Sequence, residues 1–270
     1  MSHKTYPSFF LTPVNEVEVF NIVTDLKESS AGWDDISPRV LKYVNHEVVQ
    51  PITHICNLSF QNGVVPHEIK LAKVIPIFKS GNCMQFTNYR PISVLNVLSK
   101  IYERLFYNRL IIFLNQNDCL YRFQFGFRKS HSTEMALTCF LDKITDAIDN
   151  NEFAVSIYLD LSKAFDTVNH AILLDKLQYY GVRGLPLEWL SSYLTDREQY
   201  VQYDSYNSDK LSVKCGVPQG SILGPLLFLL YINDLSSLCE TSSLILFADD
   251  STLIFSDSNI NKLCNSVNAH

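Results

Sequence analysis

Two short apolar runs, residues 244–247 and 253–255, flank Ala248-Asp249-Asp250-Ser251, and this stretch limits the fold more than any other. Asp is favoured in turns because its side chain bonds nearby backbone and tolerates unusual dihedrals. Two strand-forming arms joined by such a segment predict a β-hairpin with both acids at its tip. A further strand is predicted at residues 153–161, where Val155, Ile157 and Leu159 alternate with Ser156, Tyr158 and Asp160.

Elsewhere the patterning is helical. Ser37-Pro38 reads as a helix start, with Leu41, Val44, Val48, Ile52 and Ile55 at helical spacing, a kink at Pro51 and a stop at Gly63. Residues 73–79 read as a strand in which Pro76 suits a sheet edge. Helices are predicted at 99–114 and 132–148, the second with Leu137, Phe140, Leu141, Ile144 and Ile148 on one stripe. Asn169 is placed to cap a helix through Tyr180 with Gly181 as its stop, and Pro186 to open another carrying Trp189 and Leu190. Residues 221–235 predict a buried helix. Its apolar run of eleven residues contains Gly224 and Pro225 and is too short to cross a bilayer. Helices mixed with hairpins imply an α+β fold built on an antiparallel sheet.

At 270 residues and 47% hydrophobic content the chain can bury one substantial core or two sub-domains. The net charge of −6 alone argues against nucleic acid as a partner, because phosphate binding is led by Lys and Arg. The charge is uneven, however. Residues 61–130 hold ten Lys/Arg against three Asp/Glu, a local +7, which leaves −13 for the rest. A basic block beside an acidic one suits a protein that grips phosphates in one place and holds cations in another. The seven cysteines include no C-x-x-C pair and the histidines are dispersed, which speaks for reduced thiols and against a zinc site. The expected location is intracellular, with nucleus and cytoplasm not distinguished, and neither a targeting signal nor a membrane anchor is expected.

A lone Asp-Asp is ordinary turn chemistry. The third acid, Asp160, changes its meaning. An in-line phosphoryl transfer assisted by two divalent ions about 4 Å apart needs carboxylates converging from different strands. Hard oxygen ligands suit Mg²⁺, which also takes phosphate oxygens and water. Asp160 at one strand end and Asp249 at a neighbouring hairpin tip supply that geometry if the strands pair. Asp166 reads instead as a helix-start or salt-bridge residue.

Five boxes then stand in order: Asn88-Tyr89-Arg90-Pro91-Ile92-Ser93, Gln124-Phe125-Gly126-Phe127-Arg128, residues 158–170 around Asp160, residues 215–228 around Pro218-Gln219-Gly220, and Phe247-Ala248-Asp249-Asp250. Together they resemble the reverse transcriptases of jockey-like non-LTR retrotransposons. The resemblance implies a right-hand polymerase with fingers and an antiparallel palm sheet. Residues 1–59 would form an N-terminal extension and 60–270 the reverse transcriptase domain, with fingers at about 60–152 and palm at about 153–256. Only fifteen residues follow Phe255, so the thumb is expected to be missing. The activity implied is RNA-directed DNA synthesis from dNTPs on an RNA template and a DNA primer, with two Mg²⁺ ions or Mn²⁺. Asp160, Asp249, Asp250 and the Leu161 carbonyl would hold metal. Lys79, Arg90, Phe165 and Gln219 would bind the incoming nucleotide, Phe165 as the gate against a 2′-hydroxyl. Arg128 and Lys129 would meet the template. No membrane contact and no oligomer are implied. The alternative reading is a non-catalytic nucleic-acid-binding remnant of a retroelement.

Overall fold

The computed structural model describes residues 5–239 and 242–269. In chain order the elements begin with α1 (Glu16–Thr24), α2 (Pro38–Tyr43), α3 (Asn45–Asn62), β1 (Leu71–Phe78), β2 (Tyr89–Val94) and α4 (Val97–Gln116). Next come α5 (Thr133–Asp149), β3 (Phe153–Leu159), α6 (His170–Tyr179), α7 (Leu185–Leu194), β4 (Arg197–Tyr203), β5 (Tyr206–Asn207) and β6 (Leu211–Val213). The last are α8 (Leu223–Ile232), β7 (Ser243–Phe247), β8 (Asp250–Asp257) and α9 (Ile260–Ala269). The fold is α+β. It divides into two compact units, and neither is a continuous stretch. One comprises residues up to Asn117 together with Phe165–Leu227; the other comprises Asp118–Ala164 and residues from Phe228 onward.

In the first unit β1 pairs antiparallel with β2 and parallel with β4, and β4 also pairs with β5 and β6. β1 is thus not simply an edge strand. Its parallel pairing covers only Leu71 to Val74, opposite Glu198 to Val201, so Pro76, which stands opposite Pro91 of β2, lies beyond the β4 pairing on its other flank. A proline without an N–H is tolerated there because that flank has no partner to satisfy. The helical stretch after Ser37 also departs from expectation. It breaks at Val44, with φ −100° and ψ 13°, whereas Pro51 sits inside α3. Beside the break, the buried Asn45 amide donates to the Phe20 carbonyl at 3.0 Å, fixing the new helix against α1. The Ser37 cap and the left-handed Gly63 stop stand as expected.

The core of this unit is aromatic. Trp189 stacks on Phe106, centroids 4.5 Å apart, and on Tyr193 at 5.8 Å, while Phe60 meets it edge-on at 5.4 Å. Such pairs add to area burial because ring edges and faces carry opposite partial charge. The indole N–H, which burial would otherwise strand, donates to the Ser59 hydroxyl at 2.9 Å. On α4 the fully buried Glu103 accepts from the backbone amides of Ile222 and Leu223 and from the Ser99 hydroxyl. It thereby satisfies donors at the start of α8 that no helix can satisfy internally. Burial pushes the Glu103 carboxyl above its ordinary range, while Arg197 and these hydrogen bonds pull the other way.

The second unit contains an antiparallel three-stranded sheet in the order β3-β8-β7. Phe125, Ile245 and Ile254 form its buried centre, with Phe140 and Ile144 of α5 packed against them. The rest of the expected α5 stripe, Leu137, Leu141 and Ile148, is exposed. β3 likewise leaves Val155 and Leu159 exposed, because as an edge strand it has a single neighbour. The apolar run 222–232 is helical and mostly buried, but α8 ends at Ile232 and continues as a 3₁₀ segment, Asn233–Leu238. Among the described residues, no helix is long and apolar enough to cross a membrane. None of the seven cysteines is joined in a disulfide.

Candidate active site

The acids are placed by strand register. Phe247 pairs with Asp250, so only Ala248 and Asp249 lie in the turn. Ala248 has φ +57°, which is the first-position requirement of a type II′ hairpin turn. On the other side of β8, Leu159 pairs with Ser251. The next residue of that strand, Asp160, therefore leaves the sheet level with Asp250. Asp160, Asp249 and Asp250 gather at one end of one sheet, with Asp249 half-buried and the other two exposed. Leu161 follows Asp160 and is exposed.

This donor set fits a hard divalent cation. It is all oxygen, open to solvent, and carried by strand ends that hold their spacing. Among the described residues, no group of three or more His, Cys, Asp or Glu side chains is placed to hold a metal ion by itself. Mg²⁺ bound through one or two carboxylates and substrate phosphates needs none.

The nucleotide-binding candidates belong to the other unit. Ile77 of β1 pairs with Arg90 of β2, and the Lys79 amide donates to the Asn88 carbonyl at 2.8 Å. Cross-strand partners share a face, and so do residues two apart, so Lys79 and Arg90 project from the same face of the hairpin. Both are exposed. The Pro218-Gln219-Gly220 box is bound to two others by backbone. The Ser93 amide donates to the Gln219 carbonyl, the Val217 amide to Phe165 and the Gly216 amide to Val168, each at 2.8 Å. Gly216 and Gly220 have φ +84° and +117°, and a Cβ on either would strike the backbone of Asp166 or Ser93. The Gln219 side-chain amide donates to the Asp166 carboxylate at 2.8 Å. Asp166 therefore orients Gln219, and the helix start falls to Asn169. Gln219 and Asp166 line a cleft of about 340 Å³ together with Pro91 and Arg197. Phe165 is half-buried beside it in sequence.

Half of the basic block is buried or bonded within the protein. Lys70 and Lys73 are buried, and burial pulls the Lys70 and Lys100 ammonium groups below their ordinary range. Lys100 donates to the Ser29 hydroxyl at 2.8 Å. Arg109 makes two 2.8 Å bonds to Glu18 and further bonds to the Thr12 and Pro13 carbonyls. Arg128 donates to the Tyr121 and Gln124 carbonyls at 2.9 and 3.2 Å, while Lys129 is exposed. Lys79, Arg90, Arg104, Arg122 and Lys129 remain at the surface. The charge count overstated the phosphate-binding surface because it could not tell a buried cation from a free one.

The chain matches the family described as reverse transcriptase (RNA-dependent DNA polymerase) over residues 77–269. It is 35% identical over 227 residues to the RNA-directed DNA polymerase from mobile element jockey of Drosophila melanogaster, covering 83% of this chain and 25% of that protein. Two further Drosophila melanogaster proteins are similar. The probable RNA-directed DNA polymerase from transposon X-element is 34% identical over 252 residues, 89% of this chain and 27% of that protein. The one from transposon BS is 32% identical over 268 residues, 93% of this chain and 29% of that protein. The chain spans less than a third of the length of these relatives.

Proposed function

The chain belongs to the reverse transcriptase family, and from that premise we propose that it is the polymerase portion of a jockey-like non-LTR retrotransposon protein, adding dNTPs to a DNA primer on an RNA template. The observation that carries this reading is the convergence of Asp160, Asp249 and Asp250 at one end of the β3-β8-β7 sheet. On this reading that sheet is the antiparallel palm sheet, the palm runs over about residues 153–256, and the fingers over about 60–152.

Asp160 and Asp249, with the Leu161 carbonyl, would hold the two Mg²⁺ ions, and Asp250 would complete the acidic end of the sheet. When bound, such ions stabilise charge on the attacking and leaving oxygens of an in-line displacement. The remaining work is positioning and electrostatics. Arg90 would clasp the triphosphate, since a guanidinium matches phosphate in a bidentate fork. Lys79, on the same hairpin face, would add a second positive charge. Gln219, held by Asp166, would support the nucleotide near its sugar. Phe165 would stand under the sugar and reject a 2′-hydroxyl by clash. Lys129 would meet template phosphate, and Arg128 would do so with the part of its guanidinium not given to the two carbonyls.

The test is extension of a DNA primer on an RNA template, with and without Mg²⁺. Metal-dependent, template-directed incorporation is the expected result; nucleic-acid binding with no incorporation under any metal would overturn the catalytic reading in favour of a binding remnant. Phe165→Val should raise the ratio of ribonucleotide to deoxyribonucleotide incorporation efficiency about tenfold or more, since a lost clash of ~1.4 kcal/mol already corresponds to that factor. An unchanged ratio in an active variant would leave Phe165 as packing alone.

A further inference from the structure

The Gln124-Phe125-Gly126 segment lies directly against the acidic turn. The Phe125 amide donates to the Leu246 carbonyl at 2.8 Å, and the Leu246 amide donates to Phe123 at 3.0 Å, which lays the segment parallel to β7. Gln124 is 2% exposed. Its Oε1 accepts from the Ala248 amide at 3.0 Å and from the Gly126 amide at 2.9 Å, and its Nε2 donates to the Ala248 carbonyl at a longer 3.5 Å. One side chain therefore engages both polar backbone groups of Ala248, the residue before Asp249. Gly126 allows this approach. A Cβ there would lie 2.2 Å from the Ala248 nitrogen and 2.8 Å from its Cα, backbone atoms that cannot swing aside.

Ala248 is the residue that needs such a hold. A positive φ at the first turn position is the place for glycine, and alanine meets a steric penalty there on the order of 1 kcal/mol. Strained dihedrals persist where the surroundings over-determine them, and hydrogen bonds to the two peptide groups that flank the Ala248 Cα do so. The φ and ψ of Ala248 in turn set where Asp249 projects.

We propose that Gln124 is a positioning residue for the metal-binding turn: by clamping the Ala248 backbone it holds Asp249 in the orientation that binds a divalent ion. This rests on the reading of Asp249 as a metal ligand. Residues that orient metal ligands from behind typically contribute about 10- to 100-fold in metal affinity. Gln124→Met keeps the volume and removes every hydrogen bond of the clamp.

The experiment measures Mn²⁺ affinity of the 270-residue chain by electron paramagnetic resonance, alongside its thermal unfolding, for the parent, Gln124→Met and Asp249→Asn. Gln124→Met is expected to bind Mn²⁺ about 10- to 100-fold more weakly while still folded at the assay temperature. A residue that merely stabilised the fold would lower the melting temperature and leave the affinity of the folded chain alone. Adding Ala248→Gly to Gln124→Met should recover part of the affinity, because glycine takes the positive φ without the clamp. Unchanged affinity in Gln124→Met, with binding lost in Asp249→Asn, would overturn the positioning role and leave the metal site standing. Unchanged affinity in Asp249→Asn would remove the metal reading and the proposal with it. If Gln124→Met does not fold, Gln124→Asn, one methylene too short to reach the Ala248 backbone, takes its place, and parent-level affinity in that variant counts against the proposal.

Discussion

Asp249→Asn should lower nucleotide incorporation about a thousandfold while leaving the fold intact. Asn keeps the size of Asp and its turn preference but loses the charge that a divalent ion requires. Metal stabilisation of the transition state amounts to several kcal/mol, and ~4 kcal/mol corresponds to about three decades in rate. Asp249 lies in a two-residue turn and is only half-buried, so the sheet pairings of β7 and β8 do not depend on its charge. Asp160→Asn should behave alike, since its strand-end position delivers the other carboxylate to the same end of the sheet. Single-nucleotide incorporation under saturating Mg²⁺, with circular dichroism as the folding control, makes the measurement. Activity within tenfold of the parent for Asp249→Asn would refute the role assigned to the turn.

The largest effect on stability is expected far from those acids in sequence, at Glu103. Glu103→Ala strands two amides at the start of α8 and the Ser99 hydroxyl, and leaves the buried Arg197 without its nearby countercharge. Breaking a buried charge pair by deleting one partner costs about 3–5 kcal/mol, a drop in melting temperature on the order of 10 °C for a chain of this size. Glu103→Gln keeps an oxygen acceptor for the amides and should lose much less. Its stability should also respond differently to pH. Because burial raises the Glu103 carboxyl in the folded state, the folded chain retains a proton that the unfolded chain has released, beginning near the ordinary value of 4.5. The parent therefore loses stability relative to Glu103→Gln as pH rises from 4.5 through the raised value, and the two run parallel below it. Denaturation midpoints of the two proteins across that range check the sign; a parent that gains on the variant with rising pH would contradict it.

Much of this could be read from residues alone, and the reasons differ by element. The acidic hairpin was legible because apolar arms and Asp-rich turns leave few other options, and α6 because Asn169 caps it and Gly181 ends it. The strand β3 was legible from alternation, yet alternation did not mark a buried face on an edge strand. The strands β4, β5 and β6 have no such signal. Arg197, Glu198, Gln199 and Gln202 look like loop composition, and the parallel pairing of β4 with β1 joins segments far apart in the chain, which no local pattern encodes. The same limit hid the roles of Glu103, Asp166 and Gln124. Each is a polar residue whose meaning lies in a partner remote in sequence, 119 residues away for Glu103 and Ile222. The basic block was legible only as a count for a related reason: formal charge is local, whereas which of its cations stay at the surface is decided by the whole fold.

The close approach of Gly126 to Ala248 bears on which substitutions reach the acidic turn. The two sites are more than a hundred positions apart, yet a side chain gained at the first displaces the backbone of the second. The Ser93–Gln219 and Val217–Phe165 backbone bonds tie three other boxes into one block in the same way. A side chain gained at Gly126 therefore reaches the acidic turn even where Asp249 and Asp250 are themselves unchanged.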